Sequence, residues 1–230
     1  MTNAPENRSR QPATRRTALA VGGLMASSAL ATGIFAWLTV RGRRSHDLKP
    51  GPTDPMLGHV GSQTVYACCL AGARAQVPGT PWAVDNADPG DGPWCLLVES
   101  GGETNLARGP SSRPPEDSPP LARLAASRLP PHVLFWMVSA GNLPETPKRW
   151  AAIGFPGSEK PEWTAPFAKF PWLAWIEGQP GDWSGRMVVR ASGEQAARNL
   201  DAIASGGGHA GMRRQRDGSD LLLGWVVKPV

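Results

Sequence analysis

His132 to Ser139 reads HVLFWMVS, a run that is apolar nearly throughout. A strand with one wet face alternates apolar and polar residues, so this run predicts a strand covered on both faces. Downstream, Glu145 to Ala152 is a candidate short helix. Trp172 to Glu177 and Gly185 to Arg190 are strand-like and flank Gly178-Gln179-Pro180-Gly181-Asp182, a good hairpin loop. Ser192-Gly193-Glu194-Gln195 has the capping-box spacing, with Ser at the cap and Gln three residues later. It opens a helix to about Ala204 with Ala197, Leu200, Ile203 and Ala204 inward, stopped by Gly206-Gly207-Gly208. Leu221 to Lys228 (LLLGWVVK) is the last strand.

Read in order from His132, these elements run strand, helix, strand, strand, helix, strand. That is the βαββαβ order of a ferredoxin-like sandwich, and it places the chain in the α+β class. Upstream the chain loosens. Ser118 can cap a helix running to Leu129, with Pro119 at its first position and Leu121, Leu124 and Leu129 inward. Thr64 to Leu70 (TVYACCL) and Trp94 to Glu99 (WCLLVE) are short apolar runs fit for strands. Between them and Pro120, residues 77–120 hold nine Pro and six Gly and read mostly as loop. Residues 41–62 are polar and punctuated by Pro and Gly, a linker before a domain spanning 63–230.

The charge is unevenly placed. The chain has 24 Lys+Arg against 19 Asp+Glu and a sequence pI near 9.6. Residues 1–49 hold eight basic and two acidic side chains, whereas the remaining 181 hold sixteen and seventeen. The body is therefore neutral, which argues against nucleic acid as a partner. The basic segment (a tail over 1–16, then 17–40) brackets a run without a charged residue, Thr17 to Val40. As a helix these 24 residues span roughly 36 Å, enough to cross a hydrocarbon core of about 30 Å. Arg15 and Arg16 precede it, Arg41, Arg43 and Arg44 follow it, and Trp37 lies where an indole sits at headgroup level.

Thr14-Arg15-Arg16-Thr17-Ala18-Leu19 resembles the twin-arginine export signal. The arginine pair, the hydroxyl residue before it and Leu19 match the pattern, while Ala18 and Ala20 depart from its Phe and Lys. The resemblance implies an N-terminus in the cytoplasm and a C-terminal domain outside it, at the bacterial cytoplasmic membrane. Ala29-Leu30-Ala31 has signal-peptidase spacing, but cutting there leaves Ile34 to Val40 as an apolar tail. The expectation is a retained, single-pass anchor in contact with the lipid bilayer through residues 17–40.

Chemistry in the body is sparse. Cys68, Cys69 and Cys95 lie in the two early strands. In an oxidising compartment one of the adjacent pair could bridge to Cys95 and leave one thiol over; otherwise all three are small buried hydrophobes. No C-x-x-C or haem attachment sequence occurs, and His46, His59, His132 and His209 have no partner at metal-ligand spacing. Ser205 to Gly211, followed by Arg213, Arg214 and Arg216, could cradle an anion. It follows a helix C-terminus, however, and lacks G-x-x-x-x-G-K-[ST], so it reads as a connection with a solvated basic tip. Ten Trp against one Tyr and five Phe is unusual, and six of them fall between Trp136 and Trp183. Trp172 and Trp175 face opposite ways by alternation, so with Trp183 they are the candidate interaction surface unless both faces are covered.

No nucleophile motif, cofactor motif or catalytic constellation is legible. The reading is a non-catalytic, membrane-anchored envelope protein whose outer domain docks on another membrane or envelope protein as an accessory subunit. The alternative is an exported enzyme, hydrolytic in type, with dispersed residues such as His132 or His209 near Glu177.

Overall fold

The computed structural model describes residues 54–74, 77, 79–111, 119–131, 133–179, 182–207 and 211–227. The expected anchor, with Arg15, Arg16, Trp37, Arg41, Arg43 and Arg44, lies outside the described residues, as do His46, His132 and His209. Among the described residues no helix is long and apolar enough to cross a membrane.

The body is an α+β domain built on one eight-stranded sheet, antiparallel throughout. The strands are β1 (Thr64–Leu70), β2 (Trp94–Glu99), β3 (Thr104–Arg108), β4 (Phe135–Ser139), β5 (Trp172–Gln179), β6 (Asp182–Arg190), β7 (Arg213–Asp217) and β8 (Asp220–Val227). The helices are α1 (Pro120–Arg128), α2 (Thr146–Ala152), α3 (Pro161–Ala168) and α4 (Glu194–Gly206). Two 3-10 turns, Pro55–His59 and Pro81–Asp85, complete the covering elements.

The strand order is β3-β2-β1-β4-β5-β6-β8-β7. This departs from the ferredoxin-like expectation. A split βαβ unit places a third strand between the two that flank the helix; here β4 and β5, joined through α2 and α3, are direct antiparallel neighbours. The outer strands β3 (TNLAR) and β7 (RRQRD) are almost wholly exposed, and the four charged side chains of β7 guard its free edge against further pairing. Helix α4 also starts differently: Gly193 stands at its cap without a side-chain cap bond, so the Ser192 capping box does not form.

Both faces of the sheet are covered. On one, Cys68, Met137, Trp172, Met187 and Leu223 lie under α2, α3, α4 and the Pro81–Asp85 turn. On the other, Ala67, Cys95, Trp136, Leu173 and Val188 lie under α1 and the Pro55–His59 turn. The second cover stops short. It reaches Val188 and Leu222 but leaves the β6–β8–β7 end of that face open, where Val226 is 69 % exposed.

The strands β1 to β6 repeat one unit. Pro93-Trp94-Cys95-Leu96-Leu97-Val98-Glu99 and Pro171-Trp172-Leu173-Ala174-Trp175-Ile176-Glu177 match in Pro, Trp and Glu at the same spacing, each entering the second strand of its half. The preceding strands β1 and β4 pair about a local twofold, with Cys68 opposite its own equivalent Met137. The flanking bonds are reciprocal: Ala71 N–H donates to Leu134 O at 2.8 Å, and Ala140 N–H donates to Val65 O at 2.9 Å. Each crossover drops a Trp onto the Trp that opens the next strand. Trp82 meets Trp94 edge-on with centroids 5.3 Å apart, and Trp150 meets Trp172 edge-on at 5.5 Å. Such edge-to-face pairs contribute about 0.5–1.5 kcal/mol each beyond their buried area.

Candidate functional site

The two cysteines that β1 and β2 bring face to face, Cys69 and Cys95, form a disulfide, and Cys68 remains a free, buried thiol. Alternation along β1 decides which cysteine pairs: Cys69 and Cys95 lie on the face under α1, and Cys68 points to the other. A disulfide suggests an oxidising, extracytoplasmic location.

Cys68 belongs to a buried polar group with Tyr66, Arg149 and Asp85. The Arg149 guanidinium sits 4.2 Å over the Tyr66 ring and donates to Asp85, and the Tyr66 hydroxyl donates to Met137 Sδ at 3.3 Å. Burial pushes the Tyr66 phenol well above its ordinary value, with Cys68 and Asp85 adding to the rise and Arg149 opposing it. Burial likewise pushes the Cys68 thiol far up, against a smaller lowering by its bond with Tyr66. Burial thus favours the neutral form of both groups. The cluster joins the Pro81–Asp85 turn and α2 to the sheet.

A second ionic group closes the opposite face. Asp220, buried at the start of β8, accepts from Arg128 at 2.7 and 3.1 Å and from Arg190 at 3.0 and 3.1 Å; Arg128 also reaches Asp217 at 2.8 Å. Burial alone would raise the Asp220 carboxyl, but Arg190 and Arg128 outweigh it and hold the group below its ordinary value. This pins the C-terminus of α1, where a cation also suits the helix dipole, to β6, β7 and β8.

The third group lines an opening. A cleft of about 270 Å³ lies between the start of β4 and the β5–β6 hairpin, walled by Pro130, Pro131, Leu134, Ile176, Glu177 and Trp183. Glu177 is its one acid, and both its oxygens are engaged: Oε1 accepts from Arg186 Nε at 2.7 Å and Oε2 from Trp175 Nε1 at 3.1 Å. Glu177 thus ties the β5–β6 hairpin to its own strands, and the histidines that the enzyme alternative placed near it, His132 and His209, lie outside the described residues. His59, the one histidine among the described residues, is bonded to Gly109 O at 2.9 Å. Among the described residues no group of three or more His, Cys, Asp or Glu is arranged to hold a metal ion.

The expected tryptophan surface is not a surface. Trp172, Trp175 and Trp183 are 0, 7 and 7 % exposed. Trp172 and Trp175 do face opposite ways, but both faces are covered, so each enters a core. The group that sequence reading missed is the arginine pair on the open end of the α1 face. Arg186 on β6 stands opposite Gly224 on β8, which stands opposite Arg213 on β7. Arg213 to Arg216, read from sequence as a loop tip, are strand. Of these, Arg214 turns to Ser205 and Arg216 to Asp201 on α4. Arg213, on the opposite side of the strand, forms no ion pair with the described residues. The segment RRQRD has no apolar alternation, so its sequence carried no strand signal. No protein-family model, curated protein or solved structure matches the chain.

Proposed function

We propose that this chain is a non-catalytic accessory protein of the bacterial envelope. Residues 17–40 hold it in the cytoplasmic membrane as a single-pass anchor, and the outer domain docks on a membrane or envelope protein. The observation that carries this reading is the open end of an otherwise covered sheet, with exposed Val226 beside Arg186 and Arg213. That end of the face offers a docking partner an apolar contact at Val226 and hydrogen-bond donors at the two arginines. The ionic groups elsewhere favour the same reading, because Asp220, Asp85 and Glu177 are each committed to arginines that join elements. The Cys69–Cys95 disulfide supports the outer location.

The test is affinity purification of the full-length chain in mild detergent, with quantitation of what accompanies it. The reading expects one protein at a fixed ratio. A chain recovered alone, or a reporter fused after Val230 that is active only in the cytoplasm, would overturn it.

A further inference from the structure

Gly224 has no φ that demands glycine, and the end of the Arg186 side chain fills the space above it: a Cβ there would come within 2.7 Å of Arg186 Nη1. The Arg186 guanidinium therefore lies over Gly224, held at its Nε by Glu177 and about one-third open to solvent. On the far side of the same glycine stands Arg213, exposed, with its side chain on the same face. One row further on, Ser184 faces Val226. The patch thus holds Arg186 over Gly224, Arg213 opposite it on β7, one carboxylate already engaged, and an adjacent apolar side chain, for a net charge of +1.

That balance selects the occupant. One net charge at an anionic bilayer is worth about fivefold in partitioning, too little to hold a domain flat on lipid. It gives nucleic acid an equally small salt-dependent gain. A second copy across a twofold would bring Arg213 towards Arg213, a like-charge contact that binding disfavours. A protein carboxylate fits, because guanidinium forks take carboxylate oxygens two at a time, and Val226 gives an apolar neighbour of that carboxylate somewhere to pack.

We infer that the open end of the sheet receives an acidic segment of a partner protein, with an Asp or Glu carboxylate seated between Arg186 and Arg213 over Gly224. The inference rests on the docking function proposed above and names the partner's chemistry. A photo-crosslinking amino acid at position 226 of the full-length chain in its own membrane, with the product identified by mass spectrometry, tests it. The expected product is one partner protein, cross-linked within a few residues of an Asp or Glu. Arg213→Glu lowers the yield at least tenfold, while Lys148→Glu, an equal charge change on α2 over the other face, leaves it unchanged. Arginine at the cross-linked acid of the partner restores binding to Arg213→Glu. Adducts with lipid, with a second copy or with nothing overturn the inference, as does a yield indifferent to Arg213→Glu. If purification still brings a fixed-ratio partner in any of those cases, the docking function stands and only this surface falls. If no partner comes, both fall.

Discussion

Replacing Cys69 and Cys95 together by Ala opens a cross-link between residues 26 positions apart. In the chain-entropy account, releasing a loop of that length gives the unfolded state about 3.5 kcal/mol at 25 °C. For a domain of this size each kcal/mol moves the melting temperature by about 2–4 °C, so the expected fall is about 7–14 °C. Thermal melting of the full-length chain in mild detergent, followed by tryptophan fluorescence, is the assay, because the body's indoles are buried and report loss of packing. Reduction of the wild-type chain should reproduce the shift. Cys68→Ala removes one buried sulfur from the other face and should cost only about 1 kcal/mol. A fall below about 3 °C in the double variant would refute the loop-closure reasoning. So would a Cys68→Ala variant that behaves like the disulfide knockout, since Cys68 could do that only if β1 paired in a different register.

Three further outcomes follow from the packing. Asp220→Asn should cost about 2 kcal/mol, the scale of bonds to a charged group, and no more, because Arg128 and Arg190 are 22 and 39 % exposed and can turn to water. The carboxyl of Asp220 titrates below its unfolded value near 3.8, so its contribution is complete above that pH and is lost as pH falls through the folded value. Acid titration of stability should therefore be shallower in Asp220→Asn, and an unchanged titration would exclude the clamp. Gly185→Ala places a Cβ 2.1 Å from the Trp225 indole, which is fixed by its bond to Ile153 O at 3.2 Å. Overpacking of that kind costs about 1–3 kcal/mol in chemical denaturation. If β1 to β6 repeat one unit, Trp94→Ala and Trp172→Ala should each cost about 3–5 kcal/mol and agree to within about 1 kcal/mol. A several-fold disparity would show that the two sites are not equivalent.

How legible each element was depended on how its burial patterned the chain. The limits of β1 and β2 could be read directly, because TVYACCL and WCLLVE are apolar runs bounded by polar residues and prolines. Strands β3 and β7 could not, because an edge strand is protected by the charges that make it look like loop. Helix α3 (PEWTAPFA) was hidden by Pro161 and Pro166, although Pro161 stands in its first turn, where no amide donor is needed. The exposure of Trp172 and Trp175 turned on whether α1 covers the second face, and no periodicity within β5 carries that information. The repeat was hidden for a simpler reason. Equivalent residues of β1 and β4 are 69 positions apart, those of β2 and β5 are 78 apart, and no fixed period exists to find.

The local twofold also says where to look for what the fold does. Four of the ten Trp form two equivalent pairs, Trp82 with Trp94 and Trp150 with Trp172. Much of the tryptophan excess is thus a packing device used twice, which weakens any argument from tryptophan to ligand. Helix α1 shares one core cluster with residues of both halves, among them Leu97, Trp136 and Leu173. Among the described residues, strands β7 and β8 have no counterpart in the first half. They extend the sheet past the reach of α1, and on them stand Arg213, Gly224 and Val226. Structural need explains the repeated strands on their own terms. It does not call for an added pair of strands whose exposed side carries Arg213 and Val226 past the reach of α1. The added, uncovered part is therefore the place where the docking proposed above is to be tested.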